Sequence, residues 1–445
     1  MIASARPAPR VGWAIRVAAL YCAVFLLLFA RRPDALLNAQ FWAEDGVVFF
    51  HSALLDGVHS LLVPYSGYVH VIPRLVAFAA LALPFAFQPL AYDVAALAIA
   101  AGVLTLFVSR AYRYLVHSDL ARAAIVIAAA SVPFGGEVIG DITNIQWFLT
   151  LGALLLILYR PARGSAAGGI ARGIAAALCA FSAPLTILWL PLALRVIAVP
   201  RDRERTTALI VIAGSLVEVG LSLTLLPSTH QPFGVHVLAT ALAATLTYRV
   251  VLPTVLGQVT AIHLTAAPYA AVIITTGLLA AMALLTRNRL GRYRAAMIGL
   301  WILASLLITL IGRNFFAIFG SVRHFSTFGG ERYFFVGAIL IVYLVGSGLA
   351  ARLRKPPMFA VAMVAVFAFA AVANFSAGPF IDEHWVAEAP RLTAWESARE
   401  HHQPVHALAV PINPAGWKID LPGCESSPAE RATAGLACPP GPPPK

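Results

Sequence analysis

The sequence predicts an all-α polytopic membrane protein. The expected architecture is a bundle of about 11 transmembrane helices, with half-membrane helices on its outer face and a small extracytoplasmic C-terminal tail. Three observations carry this. Of 445 residues, 60% are apolar and 12% are charged, against roughly 45–50% and about 25% in soluble domains. Mean hydropathy is +0.81. The apolar residues also fall into runs long enough to enter or cross a bilayer. A soluble globule, a disordered chain and a fibre are excluded.

The runs lie near 13–30, 71–87, 90–108, 121–134, 142–159, 170–199, 206–226, 236–256, 264–285, 295–312, 331–350 and 357–375. Net charge is +12, from 32 basic and 20 acidic residues. On a soluble protein that would suggest nucleic acid. Here the basic residues sit in short clusters between apolar runs, so topology explains them and no nucleic-acid partner is expected. The clusters are Arg6/Arg10, Arg110/Arg113/Arg122, Arg160/Arg163/Arg172, Arg195/Arg201/Arg203/Arg205, Arg287/Arg289/Arg292/Arg294 and Arg352/Arg354/Lys355.

Placing all six clusters in the cytoplasm fixes the path. Residues 1–12 are cytoplasmic, and 13–375 form the membrane domain. The first span is an uncleaved anchor, because Leu28-Phe29-Ala30-Arg31-Arg32 is a poor cleavage site. Residues 31–89 are the first periplasmic loop, with 71–87 as a half-membrane helix. The run 170–199 goes out and back around Pro184. The run 236–256, which carries Arg249, is expected not to cross. Thirteen full spans would leave several basic clusters on the wrong side. The tail, 376–445, is periplasmic, with short strands in Val405–Leu421 and a disordered end near 439–445. Cys424 and Cys438 form a natural disulfide pair there. Their bridge would close a loop of about 15 residues, worth roughly 3 kcal/mol.

The outer segments hold the candidate chemistry. The first loop contains Phe41-Trp42-Ala43-Glu44-Asp45-Gly46. Two adjacent carboxylates amid apolar and aromatic residues are expected to have a raised pKa, which suits a general base. The alternative is an acidic first turn of a helix. Pro64-Tyr65-Ser66-Gly67-Tyr68 follows as an ordered surface loop or aromatic belt. The second hairpin carries Glu137, Asn144, Gln146 and Trp147, polar groups beside an aromatic face that suit sugar or acceptor binding. The third carries Arg313, Arg323, His324 and Glu331-Arg332-Tyr333-Phe334. Its arginines defy the positive-inside bias, and a phosphate is a fitting partner for their planar forks. The run Glu400–His406 is His-rich but lacks a completing ligand, and no metal site is expected.

The acid pair after the first span, the outer Arg-Tyr at a later span and the number of spans resemble the GT-C superfamily of integral-membrane glycosyltransferases. Phe41–Gly46, Pro64–Tyr68 and Glu331–Phe334 are similar to a bacterial branch of it. The resemblance implies a GT-C-like bundle that inverts configuration while moving a sugar from a polyprenyl-phosphate donor to a cell-envelope glycan or lipid acceptor. It implies Asp45 or Glu44 as base. Arg332 and Tyr333, helped by Arg313, Arg323 and His324, would bind the donor phosphate. Trp42, Glu137, Asn144, Gln146 and Trp147 would hold sugar or acceptor. The lipid-linked sugar is substrate, and no cofactor or metal is implied. The tail is far shorter than the soluble domain of oligosaccharyltransferases, which argues against protein N-glycosylation. Two other classes compete. A flippase for a lipid-linked glycan would show inverted repeats and broken mid-membrane helices. An acyltransferase would use a histidine, such as His51 or His59, beside the acids.

Overall fold

The computed structural model describes residues 10–161, 165–198, 205–225, 234–312, 330–353 and 355–438. The protein is a mostly helical, multi-pass membrane protein. Among the described residues, seven helices are long and apolar enough to cross a bilayer: α1 (Gly12–Arg31), α3 (Phe85–Leu106), α8 (Arg205–Leu225), α9 (Val235–Leu256), α10 (Pro268–Leu285), α11 (Gly291–Ile311) and α12 (Arg332–Arg352). Between them stand α2 (Val71–Ala80), α4 (Asp119–Ala130), α5 (Gln146–Ile157), α6 (Ala166–Ala180) and α7 (Leu190–Ala198); α13 (Pro356–Ala373) follows α12.

The bundle is built around α12. Helix α12 packs on α4, α5 and α11, and most of it, from Tyr333 to Gly346, is buried. A helix that is apolar all round belongs in such a place. Helix α1 packs on α3 and exposes most of its length, as a peripheral span does.

Among the described residues, helix length and composition yield seven candidate spans, or eight when the bent pair formed by α6 and Pro184–Ala198 is one span. The expected 11 is not confirmed. Helices such as α2, with 10 residues, and α4, with 12, are too short to cross alone, since about 20 residues span a bilayer core. Pro184 does mark a break, where the chain bends by 117°. The run 236–256, expected not to cross, forms α9, one helix of 22 residues that is long and apolar enough to do so. Its Arg249 is buried within electrostatic reach of Glu331, so a charge inside the helix has an acid to compensate it.

The basic clusters meet at one end. Arg110 and Arg113 lie over the Trp13 ring, Arg160 over Tyr114, Arg172 over Tyr159 and Arg195 over Tyr293. Arg352 donates to the carbonyl of Leu284. The first loop and the tail occupy the other end. There α14 (Trp385–Glu400) precedes an antiparallel hairpin, β1 (Leu408–Ile412) with β2 (Trp417–Leu421). A short helix, α15 (Pro428–Thr433), follows, and Ser427 and Glu430 form its capping box. Cys424 and Cys438 are bridged, with Cα atoms 5.4 Å apart. The predicted strands therefore exist, inside a tail that is folded rather than loose. The end near 439–445 lies outside the described residues.

Removing the bridge should loosen the tail alone. Cys424→Ser is expected to cost the tail about 3 kcal/mol. Limited proteolysis of the purified protein should then clip the tail faster, while the membrane core stays monodisperse. Alkylation of both cysteines in oxidised membranes would contradict the bridge.

Candidate functional site

The first loop enters from Arg31 and Arg32, both buried. Ala43 turns the chain at φ 37°, a conformation costly for a residue with a Cβ. Its N–H donates to Asn413 O at 2.5 Å, and Asn413 N–H donates to Phe41 O at 3.1 Å. The tail thus holds the turn that precedes the acid pair. Asp45–Phe50 then forms a π-turn, a rare geometry that is frequent at functional sites.

The pair splits in two directions. Asp45 is buried, and its Oδ1 accepts from the Thr143 N–H at 2.9 Å and from the Thr143 hydroxyl. Burial holds the Asp45 carboxyl well above the ordinary carboxylate range, and nearby Asp141 pushes the same way; the Thr143 bonds oppose both. Asp141 is also buried. It caps Asn144 through Oδ1 on the backbone N–H (3.1 Å) and Oδ2 on Nδ2 (2.7 Å). Burial pushes its carboxyl up to about 7 despite these bonds. Asp93, Asp34 and Arg32 complete this inner group. Arg32 donates to Ile139 O at 2.7 Å, pairs with Asp34 at 3.5 Å and stacks on Phe380 at 3.1 Å.

Glu44 is only half-buried and lies within electrostatic reach of Arg332. Arg332 opens α12, pairs with Glu137 at 3.4 Å and leans over the Tyr333 ring. Beside them lies a cleft of about 450 Å³ whose lining includes Trp42, Gly136, Glu137, Gln258, Glu331 and Phe380. Trp42 stacks on Phe380, 4.4 Å between centroids. A Cβ at Gly136 would sit 3.0 Å from Ala377 O, so a larger residue there would push the two walls apart. Gln258 donates to Glu331, whose carboxyl burial raises, with Glu137 adding to the effect.

Of the expected site residues, Trp42 and Glu137 line the cleft; Arg332 reaches its edge by pairing with Glu137 and has Glu44 in electrostatic reach, while Tyr333 is buried beside it. Three expected surface residues turn inward instead. Asp45 sits behind the loop, where apolar neighbours bury it and Thr143 satisfies it. Asn144 is committed to Asp141 and to Trp147 Nε1 (3.3 Å). Trp147 packs edge-on against Tyr333, 5.3 Å between centroids, as core. Gln146 accepts from the Tyr68 hydroxyl at 2.9 Å. Arg313, Arg323 and His324 lie outside the described residues. Among the described residues, no three His, Cys, Asp or Glu side chains could hold a metal. Sequence reasoning missed Arg32, Asp141, Thr143 and Gln258. A signal existed for Arg32: it is a basic residue on the wrong side of the first span.

Compared with known proteins, the chain matches no family model, no curated protein and no solved structure.

The inner acids have a stability consequence. A carboxyl whose folded pKa is raised holds its proton better folded than unfolded. Its favourable contribution is complete below the ordinary value near 4 and is lost as pH rises through the folded value. For Asp141 that window runs up to about 7. The detergent-solubilised protein is expected to unfold at a lower temperature at pH 8 than at pH 5. Asp45→Asn keeps an oxygen for Thr143 and removes the titrating carboxyl, so its midpoint should fall less over that interval. An unchanged pH slope in the variant would refute this account of Asp45.

Proposed function

We propose that the protein is an inverting glycosyltransferase of the GT-C type in a bacterial cytoplasmic membrane. Its N-terminus and basic end face the cytoplasm, and its tail and acid-lined cleft face the periplasm. The orientation follows from the positive-inside rule. The donor is a polyprenyl-phosphate sugar and the acceptor a hydroxyl of a cell-envelope glycan or lipid. One observation carries the reading. At the end of the bundle away from its basic clusters, Arg332 stands at a helix N-terminus between Glu137 and Glu44, beside a cleft walled by Trp42. A helix N-terminus and a guanidinium together favour a phosphate, and a tryptophan face suits a sugar ring.

In this reading Glu44, the more open acid, takes the proton from the acceptor hydroxyl. The acceptor oxygen bonds to the anomeric carbon from the face opposite the phosphate. The bond from that carbon to the phosphate oxygen breaks, and its electron pair leaves with the polyprenyl phosphate. Arg332 leaves Glu137 to stabilise that developing charge, an electrostatic role in a water-poor site. Tyr333 positions Arg332, and Asp45 holds the loop through Thr143.

The test compares envelope glycans, by mass spectrometry, in a deletion strain complemented at equal membrane level. Wild type should restore a hexose, pentose or deoxyhexose that the deletion lacks. Glu44→Gln should lower transfer by about 10²–10⁴-fold, and Arg332→Ala by about 10²–10³-fold. Full restoration by Glu44→Gln with failure of Asp45→Asn would move the base to Asp45. Full restoration by Glu44→Gln, Asp45→Asn and Arg332→Ala alike would sink the transferase and favour a transporter.

A further inference from the structure

A second cavity, of about 330 Å³, lies at the basic end of the bundle between α5, α7, α11 and α12. Its walls are apolar, built by side chains such as Leu151, Leu155, Leu192, Met297 and Leu340. Arg160, Arg195 and Arg294 also line it, and among the described residues no Asp or Glu does. Arg195 rests on the Tyr293 ring at 4.3 Å, which fixes its guanidinium at the rim. Trp189, stacked on Trp301 at 5.3 Å, closes one side. Tyr343 lines the interior and is only 8% exposed. Its ring is held edge-on by Phe107 at 4.6 Å, and its hydroxyl has no hydrogen-bond partner among the described residues.

We infer that this cavity binds an anionic glycerophospholipid of the surrounding leaflet. An acyl chain fills the leucine-lined groove, Arg195 and Arg294 hold the phosphate, and the Tyr343 hydroxyl donates to an ester carbonyl. Each part answers a separate feature. Guanidinium groups line the cavity, and among its described lining residues there is no Asp or Glu, which suits an anion; phosphate fits the guanidinium fork. The groove needs an apolar chain. A buried hydroxyl is costly unless something accepts its hydrogen, and a glycerophospholipid has an acyl ester carbonyl that a polyprenyl phosphate lacks. Basic pockets between spans on the cytoplasmic side are where such headgroups gather. Topological bias alone would place arginines here, but it would call for neither the groove nor the buried hydroxyl. The inference uses the proposed orientation and not the transferase chemistry.

The test titrates the full-length protein in detergent with dioleoyl phosphatidylglycerol and reads bound lipid by native mass spectrometry. Wild type should retain one lipid in preference to dioleoyl phosphatidylcholine. Arg195→Gln with Arg294→Gln should lower retention about tenfold or more, as loss of charge-assisted bonds implies. Arg110→Gln, at the same end over Trp13 but outside the cavity lining, should change nothing. Tyr343→Phe removes one oxygen, keeps the ring contact with Phe107, and should weaken retention several-fold. That variant decides alone if the double variant does not stay monodisperse. Equal retention of phosphatidylcholine, equal loss in Arg110→Gln, or tighter binding of undecaprenyl phosphate with no effect of Tyr343→Phe overturns the assignment. No sugar transfer is read, so failure here leaves the proposed function standing.

Discussion

Two adjacent arginines at the end of the first span hold the acidic end together. Arg31 reaches the carbonyls of Ala130 (2.7 Å) and Val132 (2.8 Å) at the end of α4, and those of Phe375 (3.0 Å) and Asn374 (3.4 Å) after α13. Arg32 reaches Ile139 and Gly136 in the next loop and carries Phe380 on its face. Helix termini leave carbonyls that need donors, and a guanidinium supplies five. Two stretches far apart in sequence, 130–139 and 374–380, are thus tied to the end of α1. Both walls of the cleft, Gly135–Glu137 and Asn374–Phe380, lie within them. Losing either guanidinium would leave buried carbonyls unpaired and the cleft without a fixed width.

That arrangement also explains why so many carboxylates can be buried nearby. Asp34, Asp93 and Asp141 all lie within electrostatic reach of Arg32. A buried ion pair is weak support for stability. Its use here is positional. Asp141 caps the turn that leads into α5, and Asp45 binds Thr143 in the same turn. The first loop and the second hairpin are therefore fixed against each other beneath the cleft, while Glu44, one residue earlier, is left toward Arg332. Adjacent acids on a tight turn cannot both face one way, and the π-turn at Asp45 sends them apart.

Much of this was legible in the sequence, and what was missed has physical causes. Apolar runs and basic clusters gave the helical bundle and its two unlike ends, because both depend on composition along the chain. The turn at Pro184 and the strands near Val410 were readable from local signals. Span count was not, because α2 and α4 are as apolar as a span but too short to be one, and apolarity alone does not report length. Arg249 misled because its compensating acid, Glu331, is 82 residues away in sequence. The acid pair was readable as a pair. Which member is buried and which stays toward Arg332 was not, since that depends on Thr143 and on the tail's Asn413, contacts that no local pattern announces. Asn144 and Trp147 looked like sugar-binding groups because their polar atoms are visible in the sequence and their partners are not.

The same ties weigh on the choice between a transferase and a transporter. Alternating access requires one group of helices to rock against another, so that a central site opens to each side in turn. Here the acidic end is cross-linked through buried bonds: α1 to the ends of α4 and α13 by Arg31, the first loop to the tail by Asn413, and α14 to the start of α3 by Trp385 Nε1 on Phe85 O at 2.8 Å. Opening and closing this end would break several such bonds at once. A site that must hold a base and a phosphate-binding cation at a fixed separation gains from that rigidity, because misplacement by about 1 Å can cost about 10²-fold in rate. The rigid end thus favours chemistry done in place over cargo carried through.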